Sequence, residues 1–164
     1  MLYIFDRIIQ IKIEKKLDSK SLINSLIEKE INKDEEINMN NLVTEINKHN
    51  WDSINSCQDL QVLGKLLFKW LNNSINYIVN PTHILSIDQN NYSKGFEVLN
   101  DSNKTIIYCI NKFLLLIDEH WNENKDIKKF IDAFIPALLG YSLLEFNDQT
   151  KHKNIEKLIH PYFF

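Results

Sequence analysis

Along most of the chain apolar residues recur at three- and four-residue spacing between polar intervals, and that periodicity predicts helices. In residues 1–16, Ile4, Ile8 and Ile11 fit one helix face, while Ile9, Ile11 and Ile13 alternate like a strand. A lone strand would lack a partner elsewhere in the chain, so helix is the preferred reading. Asp18 or Ser19 can cap a second helix carrying Leu22, Ile23, Leu26, Ile27 and Ile31. Residues 32–41 are polar and charged and read as a loop. Leu42, Val43 and Ile46 then define a short helix that stops near His49 and Asn50. Trp51 and Ile54 mark one further turn, with Asn50 as its cap.

The strongest amphipathic pattern follows. Over residues 59–71, Leu60, Leu63, Leu66, Leu67, Trp70 and Leu71 share a broad apolar face, and Asp59 suits the positive end of the helix dipole. Gly64 inside this helix costs about 1 kcal/mol relative to Ala. Its presence therefore predicts a neighbouring helix at close approach. Residues 72–80 read as a connector, and Pro81 opens a short helix through Ile84, Leu85 and Ile87. A polar loop over 88–94 and a buried turn of Phe96, Val98 and Leu99 come next. Ser102 can cap the longest helix, 103–121, whose face holds Ile106, Ile107, Ile110, Phe113, Leu114 and Ile117. After a hinge at 122–125, Ile127, Phe130, Ile131, Phe134 and Ile135 define another helix, kinked by Pro136 and ended by Gly140. A last helix after Thr150 carries Ile155, Leu158 and Ile159 and stops at Pro161. The sum is an all-α single compact domain over 1–164, with seven or eight short-to-medium helices and no internal repeat.

Composition supports that class. A chain of 164 residues with a 44% apolar share can close a core without metals or disulfides. Three Gly and three Pro are too few for a turn-rich β design. The net charge of −3 and a single arginine, Arg7, argue against nucleic-acid binding, which needs a basic face. The run Lys12, Lys15, Lys16 and Lys20, and the acidic run Glu28, Glu30, Asp34, Glu35 and Glu36, read as solvated surface. Two cysteines suit a reducing compartment. No apolar run reaches membrane-spanning length, and the first residues do not form a signal peptide, so a cytoplasmic location is expected.

Catalytic motifs are not in evidence. Thiol phosphatases need an arginine six positions after the nucleophilic cysteine, but Leu63 follows Cys57 and Leu115 follows Cys109 at that spacing. Both thiols read as buried and structural. His49, His83, His120, His152 and His160 show no zinc-type spacing, and His120 suits a helix C-terminus. Glycine is too scarce for a phosphate-cradling loop. The expectation is a non-enzyme with no metal and no cofactor. Trp51 and Trp70 read as core residues. Tyr162, Phe163 and Phe164 follow Pro161, and they either fold back on the core or form a contact site for a partner protein.

WDSINSCQDLQVLGKLLFKWL, with the connector to Pro81, is similar to a tract beyond the catalytic domain of the protein tyrosine phosphatase domain-containing protein 1 family. FEVLNDSNKTIIYCINKFLLLID, FIDAFIPALLGYS and KNIEKLIHPYFF look like that family's following helices. The resemblance covers roughly residues 40–164 and implies a non-catalytic helical interaction module, stand-alone or truncated. The family's Cys-x5-Arg loop has no counterpart here, so no catalytic residue carries over. A centrosomal or ciliary context is implied by the resemblance alone. A second resemblance is to Rho GTPase-activating domains, through VLGKLLFKWLNNSINYIVNP and HWNENKDIKKFIDAFIPALLG. It implies small-GTPase binding without an arginine finger, because Arg7 lacks the glycine-bearing loop of that fold. The start MLYIFDRIIQ, with mixed periodicity and no clear cap, would also suit a fragment of a longer gene product.

Overall fold

The computed structural model describes residues 1–27, 32–72, 97, 99–119 and 124–139. These form seven helices and, among the described residues, no strand. The helices are α1 (Leu2–Glu14), α2 (Ser19–Ile27), α3 (Lys33–Asn47), α4 (Asp52–Ser56), α5 (Leu60–Asn72), α6 (Asp101–Ile117) and α7 (Lys125–Leu139). The fold is all-α, as the periodicity predicts. The expected Pro81 helix, the Gly140 stop and the helix of Ile155, Leu158 and Ile159 lie outside the described residues.

Helix α5 is the hub. It packs against α2, α3, α7 and α1, while α2 also packs on α7, and α1 on α4 and α6. Leu22, Ile23 and Leu26 of α2 are buried with Val62, Leu63, Leu66, Leu67 and Leu71 of α5 in one core. The Gly64 expectation holds. A Cβ there would overlap the carbonyl oxygen of Leu26 and come within 2.9 Å of its Cα. Backbone thus meets backbone where a side chain would hold the helices apart. On the other side of the core, Phe5 stacks on Phe113 with ring centroids 4.2 Å apart. Phe113 and Phe68 both reach Phe130 at 6.1 Å, so aromatic rings link α1, α6, α7 and α5.

Residues 1–16 resolve to helix, with Ile4, Ile8 and Ile11 facing the core and Ile13 facing solvent. Asp18, the first of the two cap candidates, accepts from the Ser21 amide at 2.7 Å, and this bond is the main reason its carboxyl titrates below the usual range. Three expectations need correction. Residues 32–41 are not a loop but the first half of α3. Asn32 accepts from the Glu35 amide while the Glu35 carboxylate accepts from the Asn32 amide, a reciprocal capping box. The cap of α6 is Asn100, not Ser102, and that helix ends at Ile117, not near Trp121. Asn50 does not cap α4, which starts after Trp51 without a side-chain cap; its amide nitrogen donates to Glu45 instead.

Candidate functional site

The only described arginine is a structural clamp. Arg7 is 4% exposed; its Nε donates to the Cys57 carbonyl at 2.7 Å, and an Nη reaches Gln10 at 3.1 Å and Glu14 at 3.4 Å. One residue on, the Gln58 carbonyl accepts from Lys15 Nζ at 3.2 Å. Asp59 then accepts from the amides of Gln61 and Val62 and caps α5. Arg7 of α1, Lys15 just beyond its end and one cap therefore fix the α4–α5 connector. Lys12 is likewise more than a solvated charge, because its Nζ caps the end of α6 at Ile117 O (2.7 Å) and Leu116 O (3.3 Å). Ser19 joins the same junction through Ile117 O and Asp118.

This fixed connector forms one wall of a groove of about 690 Å³. Its lining includes Ser53, Ser56, Cys57, Gln58 and Asp59 on that side and Asn38, Asn41, Leu42 and Glu45 of α3 on the other, with Lys15 and Leu60 completing it. The charged groups of the groove already have internal partners. Hydrogen bonds from Lys48 first and Asn50 second hold the Glu45 carboxyl below the usual carboxylate range. Lys15 and Asp59 are occupied as described. The carboxamides of Asn38, Asn41 and Gln58 make no hydrogen bond among the described residues and face solvent in the groove. A sequence reading that took 32–41 as loop could not line them up. The signal that would have found them is Asn32-x-x-Glu35, the capping box that turns this polar run into a helix.

Candidate nucleophiles fare poorly in this geometry. Burial pushes the Cys57 thiol above its ordinary value, which lowers the thiolate fraction that nucleophilic attack requires. Its Sγ lies 3.7 Å from the Asp59 carbonyl. Both Cys57 and Cys109 are half-buried, so the expectation of full burial was too strong. Among the described residues, no three His, Cys, Asp or Glu side chains gather where they could hold a metal ion. His49 is exposed at the end of α3; His83, His120, His152 and His160 lie outside the described residues, as do Tyr162, Phe163 and Phe164.

The tryptophans depart from expectation. Trp51 is 36% and Trp70 40% exposed. Trp51 precedes α4, and Trp70 lies in the last turn of α5. Trp51 stacks face to face on Tyr3 of α1, with centroids 5.3 Å apart and ring planes at 9°. Tyr3 is itself 47% exposed and Leu2 beside it 56%. No protein family, curated relative or solved structure matches the chain. No helix among the described residues is long and apolar enough to cross a membrane.

Proposed function

We propose that this chain is a non-catalytic helical domain that acts through contact with a protein partner. The observation that carries the reading is the Tyr3–Trp51 stack, an ordered aromatic pair held at the surface beside exposed Leu2. Large aromatic side chains of this kind dominate the energetics of protein interfaces, because they bury much area at little conformational cost. Groups of the kinds that support catalysis are engaged in the fold: Arg7 with the Cys57 carbonyl, Asp59 in a helix cap, Glu45 with Lys48 and Asn50. The role matches the one implied by the resemblance of residues 40–164 to an accessory region lacking its phosphatase loop. Small-GTPase binding, implied by the second resemblance, would have to proceed without Arg7, whose guanidinium is committed to the core.

The test compares the intact chain with a Tyr3→Ala/Trp51→Ala variant in crosslinking capture from native lysate. A partner held by the parent should be lost from the variant, roughly thirtyfold weaker for loss of an aromatic anchor, while circular dichroism stays unchanged. Binding that depends on GTP against GDP would identify a GTPase partner. Hydrolysis of a generic aryl phosphate that disappears in Cys57→Ser or Cys109→Ser would overturn the non-catalytic reading.

A further inference from the structure

Helices α1 and α6 lie side by side and run the same way. Phe5 stacks on Phe113, and Lys12, further along α1, reaches the carbonyls of Leu116 and Ile117 at the end of α6. We infer that the outer side of this helix pair is the seam of a homodimer, in which α1 of one copy lies on α6 of the other. The inference goes beyond the partner contact proposed above and does not use the Tyr3–Trp51 stack.

The phase of the two helices places an apolar strip on that side. At about 100° per residue, Leu2, Ile9 and Ile13 fall within about 40° of one another on α1. Going round α1 from Phe5, which faces α6, these three come first and Asp6 follows. Going round α6 from Phe113, Cys109 and Leu116 come first and Lys112 follows. Ile9 and Cys109 are partly buried at the floor of the strip. Leu2 is exposed above them, and Ile13 and Leu116 keep 69% and 60% of their surface in solvent. Large apolar side chains gathered at such exposure mark a contact surface.

Charge identifies the occupant as a second copy. One edge of the strip carries Asp6 and the other Lys112, and the Phe5–Phe113 stack sets them at nearly the same height. Asp6 is exposed and has no ion pair among the described residues. Lys112 is also exposed, its ammonium 5.5 Å from the centre of the Tyr108 ring, a weak surface contact that leaves it hydrated. Turning this face onto a copy of itself, about an axis parallel to the two helices, sets each Asp6 opposite the other copy's Lys112. Both pairs form together, and Ile13 of each copy meets Leu116 of the other. A strip edged by one sign of charge would repel its copy, whereas this one attracts it. The seven-residue steps Leu2–Ile9 and Cys109–Leu116 keep each apolar row on the shared side for two turns, the spacing that pairs helices along a seam.

The test is sedimentation equilibrium of the intact chain between about 1 μM and 1 mM, where the mass should rise toward that of two chains. Leu116→Asp should weaken association at least about thirtyfold, the loss of an apolar anchor at the seam. Asp6→Lys and Lys112→Asp should each self-associate about tenfold more weakly. Mixed in equal amounts they should recover the affinity of the parent, because one variant then offers two cations where the other offers two carboxylates. Recovery on mixing also shows that both variants are folded. A chain that stays monomeric to about 1 mM would overturn the homodimer and leave the Tyr3–Trp51 reading standing. Association indifferent to Leu116→Asp would sink it too, as would charge variants of unchanged circular dichroism that fail to recover on mixing. Self-association lost in Tyr3→Ala/Trp51→Ala but kept in Leu116→Asp would place the contact at the aromatic pair and reject the α1–α6 seam.

Discussion

Helices α2 and α3 both pack on α5, yet they are held by different means. In nine residues α2 buries Leu22, Ile23 and Leu26, and it approaches so closely that Gly64 of α5 has no room for a side chain. In fifteen residues α3 fully buries only Leu42. Met39, Val43 and Ile46 pack on the core only partly buried, and the two ends of α3 carry much of the remaining hold. A capping box and three acidic residues, Asp34, Glu35 and Glu36, satisfy the positive N-terminus. At the other end the Asn50 amide returns to Glu45 O and the His49 amide to Ile46 O, the paired bonds of a Schellman motif. A helix secured at its ends does not need an apolar face all along it. The remaining surface of α3 is free to carry Asn38 and Asn41 toward the groove. Burial fixes the core in place, and end chemistry positions the candidate site.

The sharpest way to break the buried side of this contrast is Gly64→Ala. Helix propensity alone would favour alanine by about 1 kcal/mol. Here the new methyl meets the Leu26 backbone, which cannot step aside without moving α2. Overpacking should win, with a net loss of about 2 kcal/mol and a melting temperature lower by roughly 4–8 °C. A melting temperature that rises would show that α2 and α5 are further apart than described.

Arg7→Met tests the clamp between the two regions, because Arg7 joins α1 to the connector that walls the groove. Methionine keeps much of the volume but leaves the Cys57 carbonyl without its donor. The expected cost is about 1–3 kcal/mol, read from the denaturant midpoint at unchanged slope. Arg7→Met with unchanged stability would mean that the connector is held by Lys15 and the Asp59 cap alone.

How much of this was legible in the sequence follows the same division. Where burial holds an element, spacing revealed it: Ile4, Ile8 and Ile11 on α1, Leu63, Leu66 and Leu67 on α5, and the close approach at Gly64 all follow from periodicity and propensity. Where end chemistry holds it, the reading failed. The polar run at 32–41 lacks an apolar stripe, so periodicity finds only the second half of α3, through Leu42, Val43 and Ile46. The α6 cap was displaced by two residues because Asn100 and Ser102 are both competent caps and only backbone geometry separates them. Lys12 could not be read at all, because the carbonyls it caps lie more than a hundred residues away. The groove combines both failures. Its walls come from α3 and the connector, and neither has a hydrophobic pattern to betray it.

Asn32→Ala separates α3 from α2 directly. It removes one half of the capping box and should cost about 1 kcal/mol. The effect is local: amide exchange should accelerate through the first turns of α3 while the amides of α2 keep their protection. Asn32→Asp, which preserves the acceptor, should restore most of the loss. If both helices lost protection together, α3 and α2 would belong to one cooperative unit and the contrast between them would fail.

The smallest expected effect is a gain. His49 closes α3 with φ 61, and Lys16 closes α1 with φ 51, both in the left-handed region that side chains with a Cβ disfavour. In each case the following amide bonds back in the same manner, Asn50 to Glu45 O and Leu17 to Lys12 O. The residue type at this position is usually glycine, and a chain with only three glycines uses histidine and lysine instead. Removing the Cβ relieves the backbone but also widens the unfolded ensemble, so the two terms partly cancel. His49→Gly should therefore stabilise by about 0.5–1 kcal/mol, seen as a small upward shift of the denaturant midpoint. Because α3 depends on its ends, the gain should appear as slower exchange in its last turn, with α2 unaffected. The same substitution at Lys16 should stabilise α1 without altering the groove. A loss at His49 would mean that its side chain makes a contact the fold relies on, and α3 would then owe its stability to more than its two termini.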